Sequence, residues 1–337
     1  MATDNLAETN SHRKALIGAA PNFWLHHTAH GFDLTHPAEH STSTTAATFK
    51  LTIQTTNSPI TVDPSKSALV IIDMQNFFLS PAFGRDLKSA GHRAKDQLIK
   101  CAIPAARKAG MRVVWVNWGL TEEEVRTMPP AVKRAFGFEA IPLEAEYGDG
   151  WTEAEVGVGV DKFGEEKFQG GHLVLENGKD GRMYRGLGSS CGSVVLDDRE
   201  KIDAGRLLMR DTWNAALYPP LDAVYEEGKK LEKNPDVWIH KNRMSGLWGA
   251  KTDLEEFLEK EGIRTLFFTG VNTDQCVGGT LIDAFNKGYD CILLSNGAGT
   301  TSPEYAQQCL EFNAARTYGF CTSCEELAKG VENMKDI

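Results

Sequence analysis

The sequence predicts an α/β protein, a parallel sheet with helices on both faces. Three observations carry this. Short apolar runs alternate with longer segments of helical apolar spacing. The runs are continuously apolar, as strands covered on both faces are. Several of them end in a polar residue where the chain leaves the strand, and open α/β sheets bind their ligands there. The 337 residues suffice for one large domain or two small ones.

The first strand, 68–73, is Ala68-Leu69-Val70-Ile71-Ile72, β-branched in its second half and ending at Asp73-Met74-Gln75. A helix follows near 93–109, closed by Lys108-Ala109-Gly110. Strand 112–117 ends at Asn117-Trp118. Strand 236–240 contains Val237-Trp238-Ile239-His240 and ends at Lys241. Helix 252–261, strand 264–270, helix 276–287, strand 290–295 and helix 303–316 continue the alternation, and a weak strand near 319–322 finishes it. Right-handed crossovers restrict how these elements connect.

Two segments stand outside this pattern. Residues 1–65 read as an N-terminal extension, and 1–50 hold six of the nine histidines beside a polar stretch at 41–48. Phe23-Trp24-Leu25 gives this arm an apolar point that packs on the core or on a second subunit. His26, His27 and His30 have neither cysteines nor acids beside them, so no metal site is expected there. Residues 121–208 form a long insertion between the second and third strands. Its segment His172–Tyr184 reads as a hairpin with an Asn177-Gly178 turn. It holds no apolar core of its own. A surface excursion and a lid or oligomer arm both fit it.

Bulk properties exclude some functions. The net charge of −10 disfavours nucleic acid or an anionic membrane as the main partner. No apolar run is long enough for a transmembrane span. The seven cysteines are odd in number and scattered, and the start of the chain shows no secretory signal. Reduced thiols and a cytoplasmic setting are expected. Cys321 and Cys324 form a C-x-x-C without the partners a zinc ribbon needs.

The chemistry concentrates at Gly270-Val271-Asn272-Thr273-Asp274-Gln275-Cys276-Val277. Cys276 follows a strand and opens a helix. Free N–H groups and the macrodipole at that end favour an anion, and a thiol so placed tends to a lowered pKa. A buried small hydrophobe is the other reading of such a cysteine. Asp73 and Lys241 also stand at strand ends, where turn-capping and solvated surface positions are their ordinary alternatives.

Asp73 in Val-Ile-Ile-Asp-Met-Gln-Asn, Lys241 in His-Lys-Asn-Arg and Cys276 in Gly-Val-Asn-Thr-Asp-Gln-Cys-Val resemble the Asp–Lys–Cys triad of the isochorismatase-like cysteine hydrolases. That superfamily includes nicotinamidases, N-carbamoylsarcosine and ureidoacrylate amidohydrolases, and true isochorismatases. The resemblance covers about residues 66–120 and 205–325. It implies a hydrolase domain over 66–330 with a three-layer α/β/α fold and a six-stranded, mostly parallel sheet in the order 3-2-1-4-5-6. It implies a cis peptide at Val271–Asn272, an oxyanion hole from the backbone N–H groups of Asn272 and Cys276, and a homodimer or homotetramer. Asp73 would exchange protons with the thiol and the leaving nitrogen, and Lys241 would hold the carboxylate and favour the thiolate.

Departures narrow the activity. Nicotinamidases carry an Asp-X-His metal element after the second strand. This chain has Asn117-Trp118-Gly119 there, so no metal or other cofactor is expected. True isochorismatases often lack the cysteine. After strand five, where many relatives have an acid, this chain has Ser295-Asn296-Gly297. The expected activity is metal-independent hydrolysis of a small amide, ureide or lactam through a thioester. Vinyl-ether hydrolysis with Asp73 as the acid and a non-catalytic binding role are the alternatives. Gln75, Phe77, Phe78, Asn117, Trp118 and Leu247-Trp248 are candidate pocket walls, with Trp213-Asn214 reaching in from the end of the insertion.

Overall fold

The strand β1 (Ser67–Ile72) is buried at every position, which requires strands on both its edges and layers on both its faces. The computed structural model describes residues 13–37, 50–145, 157–166, 173–174, 184–196 and 198–334. Five further strands run parallel to β1: β2 (Arg112–Trp118), β3 (Val237–Lys241), β4 (Thr265–Val271), β5 (Asp290–Gly299) and β6 (Gly319–Thr322). Their spatial order is β3-β2-β1-β4-β5-β6, so β1 and β4 lie side by side at the centre.

Alternate residues of the sheet feed two cores. Ala68, Val70, Ile72, Val116 and Phe268 face one layer, with Leu254 and Leu258 of Asp253–Lys260 and Leu281 and Ala284 of Gly278–Lys287. Leu69, Ile71, Val113, Trp115 and Phe267 face the other, with Leu98, Ile103 and Ala106 of the 90–109 helix and Leu327 and Val331 of Cys324–Glu332. This is the three-layer α/β/α arrangement. The 90–109 helix starts three residues before its predicted position and ends where expected, at Gly110 with φ 78°. Helix Cys324–Glu332 is an addition to the predicted set. Its signal was present, since Ser323 accepts from the Glu326 N–H at 3.2 Å.

The extension at 1–65 is not merely appended. Its described part forms a five-stranded sheet in the order Lys14–Ala19, Asn22–His27, Gly31–Asp33, Pro59–Val62, Leu51–Gln54. Leu34, Leu51, Ile53, Ile60 and Val62 are buried in the same core as Leu69 and Ile71. The arm returns to its own subunit through Trp24. Its Nε1 donates to Asp290 Oδ1 at 2.7 Å, and its ring centroid lies 5.6 Å from that of Phe320. Asp290 Oδ2 also lies 2.7 Å from His36 Nε2 and accepts from the Thr265 hydroxyl at 2.8 Å. The six residues of Lys14–Ala19, by contrast, are all exposed.

The insertion is part of the sheet's first core. Met128, Phe136, Tyr184, Leu187, Val194, Leu207 and Leu208 cluster with Trp118 and Cys276. Its neck is closed by hydrogen bonds, from Leu120 N to Leu208 O at 2.9 Å and from Arg210 N to Leu120 O at 3.1 Å. Leu173–Val174 pairs with Ser193–Val195, and the Asn177-Gly178 turn lies outside the described residues. No described helix is long and apolar enough to cross a membrane.

Asp290 is the clasp between arm and core. Asp290→Ala removes the acceptor of two donors and a contact of His36, and should lower unfolding stability by roughly 3 kcal/mol. Trp24→Phe, which deletes one bond and keeps a ring, should lower it by about 1 kcal/mol. Urea denaturation of the three proteins checks both figures.

Candidate active site

Three strand ends deliver the site. β4 lies tight against the end of β1, because Gly270 has φ 106° and a Cβ there would meet Ile72 O at 2.0 Å. Asp73 follows β1 in the left-handed region, φ 54°, and its N–H donates to Val116 O at 3.1 Å. Lys241 ends β3 in register with Trp118, which ends β2. The peptide Val271–Asn272 is cis. Asn272 O accepts from the Gln275 and Val277 N–H groups at 3.0 and 3.2 Å, which shapes the turn carrying Cys276. Cys276 sits in a wide turn, Thr273–Val277, rather than in the first α-helical turn the sequence suggests.

Asp73, Lys241 and Cys276 come together. Lys241 Nζ lies 2.9 Å from Asp73 Oδ2 and 3.5 Å from Cys276 Sγ. It also donates to Arg243 O at 3.0 Å and stands 4.0 Å from the centroid of the Trp118 ring. Trp118 N donates to Asp73 Oδ1 at 3.2 Å, and the thiol approaches Met244 Sδ at 3.6 Å. All three side chains are buried.

Burial dominates the electrostatics. It raises the Asp73 carboxyl, against the lowering influence of Lys241 and hydrogen bonds from Cys276, Lys241 and Trp118. Burial likewise pushes the Cys276 thiol up to about 12; Lys241 opposes this, while Asp73 adds to it. The lowered thiol pKa expected from a helix start is therefore overturned. Desolvation outweighs the nearby cation, and the resting sulfur carries its proton. The other cysteines of the central core behave alike: burial pushes Cys191 up to about 12 and Cys321 up to about 11.

The remaining sequence candidates divide. Phe77 forms an aromatic wall with two insertion residues, its centroid 5.6 Å from Tyr184 and 6.3 Å from Phe136, and Trp118 lies 5.0 Å from Phe136. Phe78 packs edge-on against Phe77 at 4.9 Å, between the two cores. Gln75 is a clamp rather than a wall. Its Nε2 donates to Trp118 O and Ala215 O at 2.7 and 2.6 Å, and its Oε1 accepts from Trp118 N at 3.1 Å. A fully buried amide must satisfy both ends, and here backbone takes both. Asn214 does the same for the insertion exit, accepting from Leu208 N and donating to Ala204 O, both at 2.7 Å. Trp213 stacks on Phe83 at 5.9 Å. Asn117 is fully buried, and strand alternation sets it on the face opposite Trp118; neither atom of its amide has a hydrogen-bond partner among the described residues. Trp248 is half-exposed and props Arg243 from outside at 4.5 Å. Leu247 is buried in the first core.

Sequence reasoning missed Phe136, Tyr184, Met128 and Met244. The first three lie in an insertion without periodicity. Met244 stands three residues after Lys241, and that adjacency was the one available signal. Among the described residues no group of three or more His, Cys, Asp or Glu is placed to hold a metal.

The domain family described as Isochorismatase matches residues 198–325, a stretch that contains Lys241 and Cys276. Over that stretch the chain is similar to the isochorismatase domain family. Solved structures similar to it include a cysteine hydrolase from Pseudomonas syringae pv. phaseolicola 1448A, at 16% identity and TM-score 0.49 over 85% of this chain and 98% of that one. An isochorismatase family protein from Desulfovibrio vulgaris matches at 17% identity and TM-score 0.47, over 80% of this chain and 99% of that one. A nicotinamidase from Bacillus subtilis matches at 18% identity and TM-score 0.48, over 77% and 99%.

A cavity of about 410 Å³ opens beside the strand-end cluster, lined by Trp118, Arg210, Asp211, Trp213, Trp238 and His240 among others. His240 Nδ1 accepts from Trp238 Nε1 at 3.2 Å, while burial and Arg210 lower the pKa of the imidazole. Trp118 lines it, and Asp73, Lys241 and Cys276 do not.

Removing one partner of the buried pair leaves an uncompensated charge. Lys241→Met should therefore destabilise the protein by about 3–5 kcal/mol. The double variant Asp73→Asn/Lys241→Met should recover most of that loss without regaining activity. Chemical denaturation of the single and double variants measures the difference. Thiol labelling offers a second check. The exposed Cys309 should react with iodoacetamide before the buried, protonated Cys276, as peptide mass spectrometry would resolve.

Proposed function

We propose that the protein is a cysteine amidohydrolase that cleaves the C–N bond of a small amide, ureide or lactam. The observation that carries this reading is the contact chain Asp73–Lys241–Cys276, at 2.9 and 3.5 Å, sealed from water. An amide carbon is a poor electrophile, and a thiolate delivered in a dry site answers that difficulty.

The chemistry follows from the proton's position. Cys276 passes its proton to Asp73 as the sulfur attacks the carbonyl carbon, so no standing thiolate is needed. The carbonyl oxygen becomes an anion facing the backbone N–H groups of Asn272 and Cys276. Asp73 returns the proton to the leaving nitrogen, the C–N bond breaks and a thioester remains. Water then attacks the thioester with Asp73 as base, releasing the acid and restoring the thiol. Lys241 balances the one negative charge of the site while it rests on Asp73, and the oxyanion donors take it when it moves to the carbonyl oxygen.

A second reading is vinyl-ether hydrolysis. The raised Asp73 pKa favours a carboxyl that can hold and donate a proton. The two are separated by testing a panel of small amides and isochorismate with the parent and Cys276→Ala. Amide turnover abolished in the variant supports the amidohydrolase. Isochorismate turnover retained in the variant supports acid catalysis by Asp73. No turnover by the parent, with no reaction at Cys276, leaves a binding protein on this fold.

The pH profile carries its own expectation. Asp73 must be ionised to accept the thiol proton, and burial moves its titration above 3.8. Activity should therefore fall with acid along a limb that lies above 3.8. It should not climb through the ordinary thiol range near 9, because Cys276 ionises only at about 12. A kcat/KM profile that rises near 9 would contradict the concerted transfer.

We further propose self-association through the arm. The strand Lys14–Ala19 is exposed throughout, with Leu16 and Ile17 among its residues, and an open strand edge invites pairing. Light scattering on the full chain tests it, a monomer at micromolar concentration being the adverse result. A cytoplasmic setting is proposed because all seven cysteines are free.

A further inference from the structure

The Cys276 sulfur is 3% exposed, and none of the triad residues lines the neighbouring cavity. A reacting carbon must come within about 3–3.5 Å of the sulfur. Something covering it has to move. Lys241 ends a strand of the sheet, and the turn Thr273–Val277 follows another. Met244, whose Sδ lies 3.6 Å from Cys276 Sγ, belongs to neither helix nor strand.

The chain is anchored on both sides of Met244. Before it, Lys241 is held in the β2–β3 register and by Asp73 at 2.9 Å. After it, Gly246 N donates to Thr280 Oγ1 at 3.1 Å, and Gly246 O accepts from the Thr252 hydroxyl at 2.8 Å. A Cβ at Gly246 would stand 3.0 Å from Val116 Cγ1, so the backbone lies close on β2. Leu247 is buried in the first core. Residues 242–245 therefore form a short strap between two fixed points.

The insertion fastens this strap from outside. Asn242 Nδ2 donates to Glu124 Oε1 at 2.7 Å, and Asn242 Oδ1 accepts from Trp248 Nε1 at 3.0 Å. Arg243 Nη1 lies 3.4 Å from Met128 Sδ, and its guanidinium stands 4.5 Å from the centroid of the half-exposed Trp248 ring. Glu124 is itself steadied by the Thr121 N–H, which donates to Oε2 at 2.7 Å. Such contacts near the surface open far more readily than the ladder of a central sheet.

We propose that residues 242–245 are a gate over Cys276, with Met244 as its plug and the Asn242–Glu124 hydrogen bond as its latch to the insertion. The inference rests on the amidohydrolase reading for what passes the gate, but the gate can be tested without any substrate. Lifting the strap uncovers the sulfur and leaves the sheet intact. It also frees one Lys241 donor, because Arg243 O belongs to the strap, while the contact with Asp73 stays.

The test is the iodoacetamide labelling rate of Cys276, read by peptide mass spectrometry with the exposed Cys309 as internal reference. Reagent reaches the sulfur through the open gate, so the rate follows the open population. Asn242→Ala deletes both hydrogen bonds of the latch and should speed Cys276 roughly tenfold relative to Cys309. Met244→Ala removes the plug and should also speed it, whereas Met244→Leu keeps the bulk and should stay near the parent rate. Cys291, 1% exposed in the same core, reports general loosening and should keep its slow rate in every variant. An unchanged Cys276 rate in folded Asn242→Ala overturns the latch, and an unchanged rate in folded Met244→Ala overturns the plug. A rise shared by Cys291 overturns both. Faster Cys276 labelling in a protein that hydrolyses no amide would sink the amidohydrolase reading and leave the gate standing. Amide turnover with unchanged labelling would do the reverse.

Discussion

The buried ion pair between Asp73 and Lys241 is the constraint on which the rest of the site depends. The two side chains are 0% and 1% exposed, and such a pair is tolerated only while both partners remain and their other bonding needs are met. The surroundings meet them with the Trp118 N–H for the carboxylate, and with the Arg243 carbonyl and the Trp118 ring for the ammonium. Charge count then governs the thiol. Ionising Cys276 beside an ionised Asp73 would leave one uncompensated negative charge in a dry interior. A second negative charge is therefore opposed, and Asp73 is the carboxylate that pushes the thiol towards keeping its proton.

The fold supplies the geometry. β1 and β4 are central neighbours, which brings an acid and a thiol to the same end of the sheet. Lys241 arrives from the outermost strand, β3, two strands away from β1, and its long stem reaches across Trp118 to close the gap. A shorter cation at the end of β3 could not span β2. Above the sheet, Phe136 and Tyr184 of the insertion meet Phe77 and help keep water from the ion pair. The insertion is thus packed into the site's wall.

How much of this was legible follows from what each feature depends on. The strand ends at Asp73, Lys241 and Cys276 could be read because an apolar run followed by one polar residue is a local pattern, and the fold makes such ends converge. The amides were misread. Gln75 and Asn214 look like substrate contacts by residue type, but an amide with two bonding ends also suits a backbone clamp, and only the three-dimensional partners decide. Trp248 adjoins the right segment in sequence yet turns to the surface. The thiol's pKa was misjudged because helix-end effects are local, whereas desolvation comes from residues far along the chain, including the insertion. Phe136 and Tyr184 gave no periodic signal, since each belongs to a short irregular segment held by contacts with the sheet rather than by its own pattern. Helix Cys324–Glu332 is legible in the Ser323–Glu326 spacing, a capping pattern that lies beyond the last strand.

The closed neck of the insertion has a consequence for inheritance. Leu120 is hydrogen-bonded to residues 208 and 210, so the excursion leaves and rejoins the domain at almost one point. Closing a loop whose ends are already held together costs little more as the loop lengthens. Segments of different length and composition can therefore be exchanged at this junction while Asp73, Lys241, Cys276 and Trp118 stay on the strands and turn that position them. The strand-end cluster and the excursion are then separable parts of one chain, and a different excursion can be grafted at 120 and 208 without rebuilding the sheet that carries the cluster.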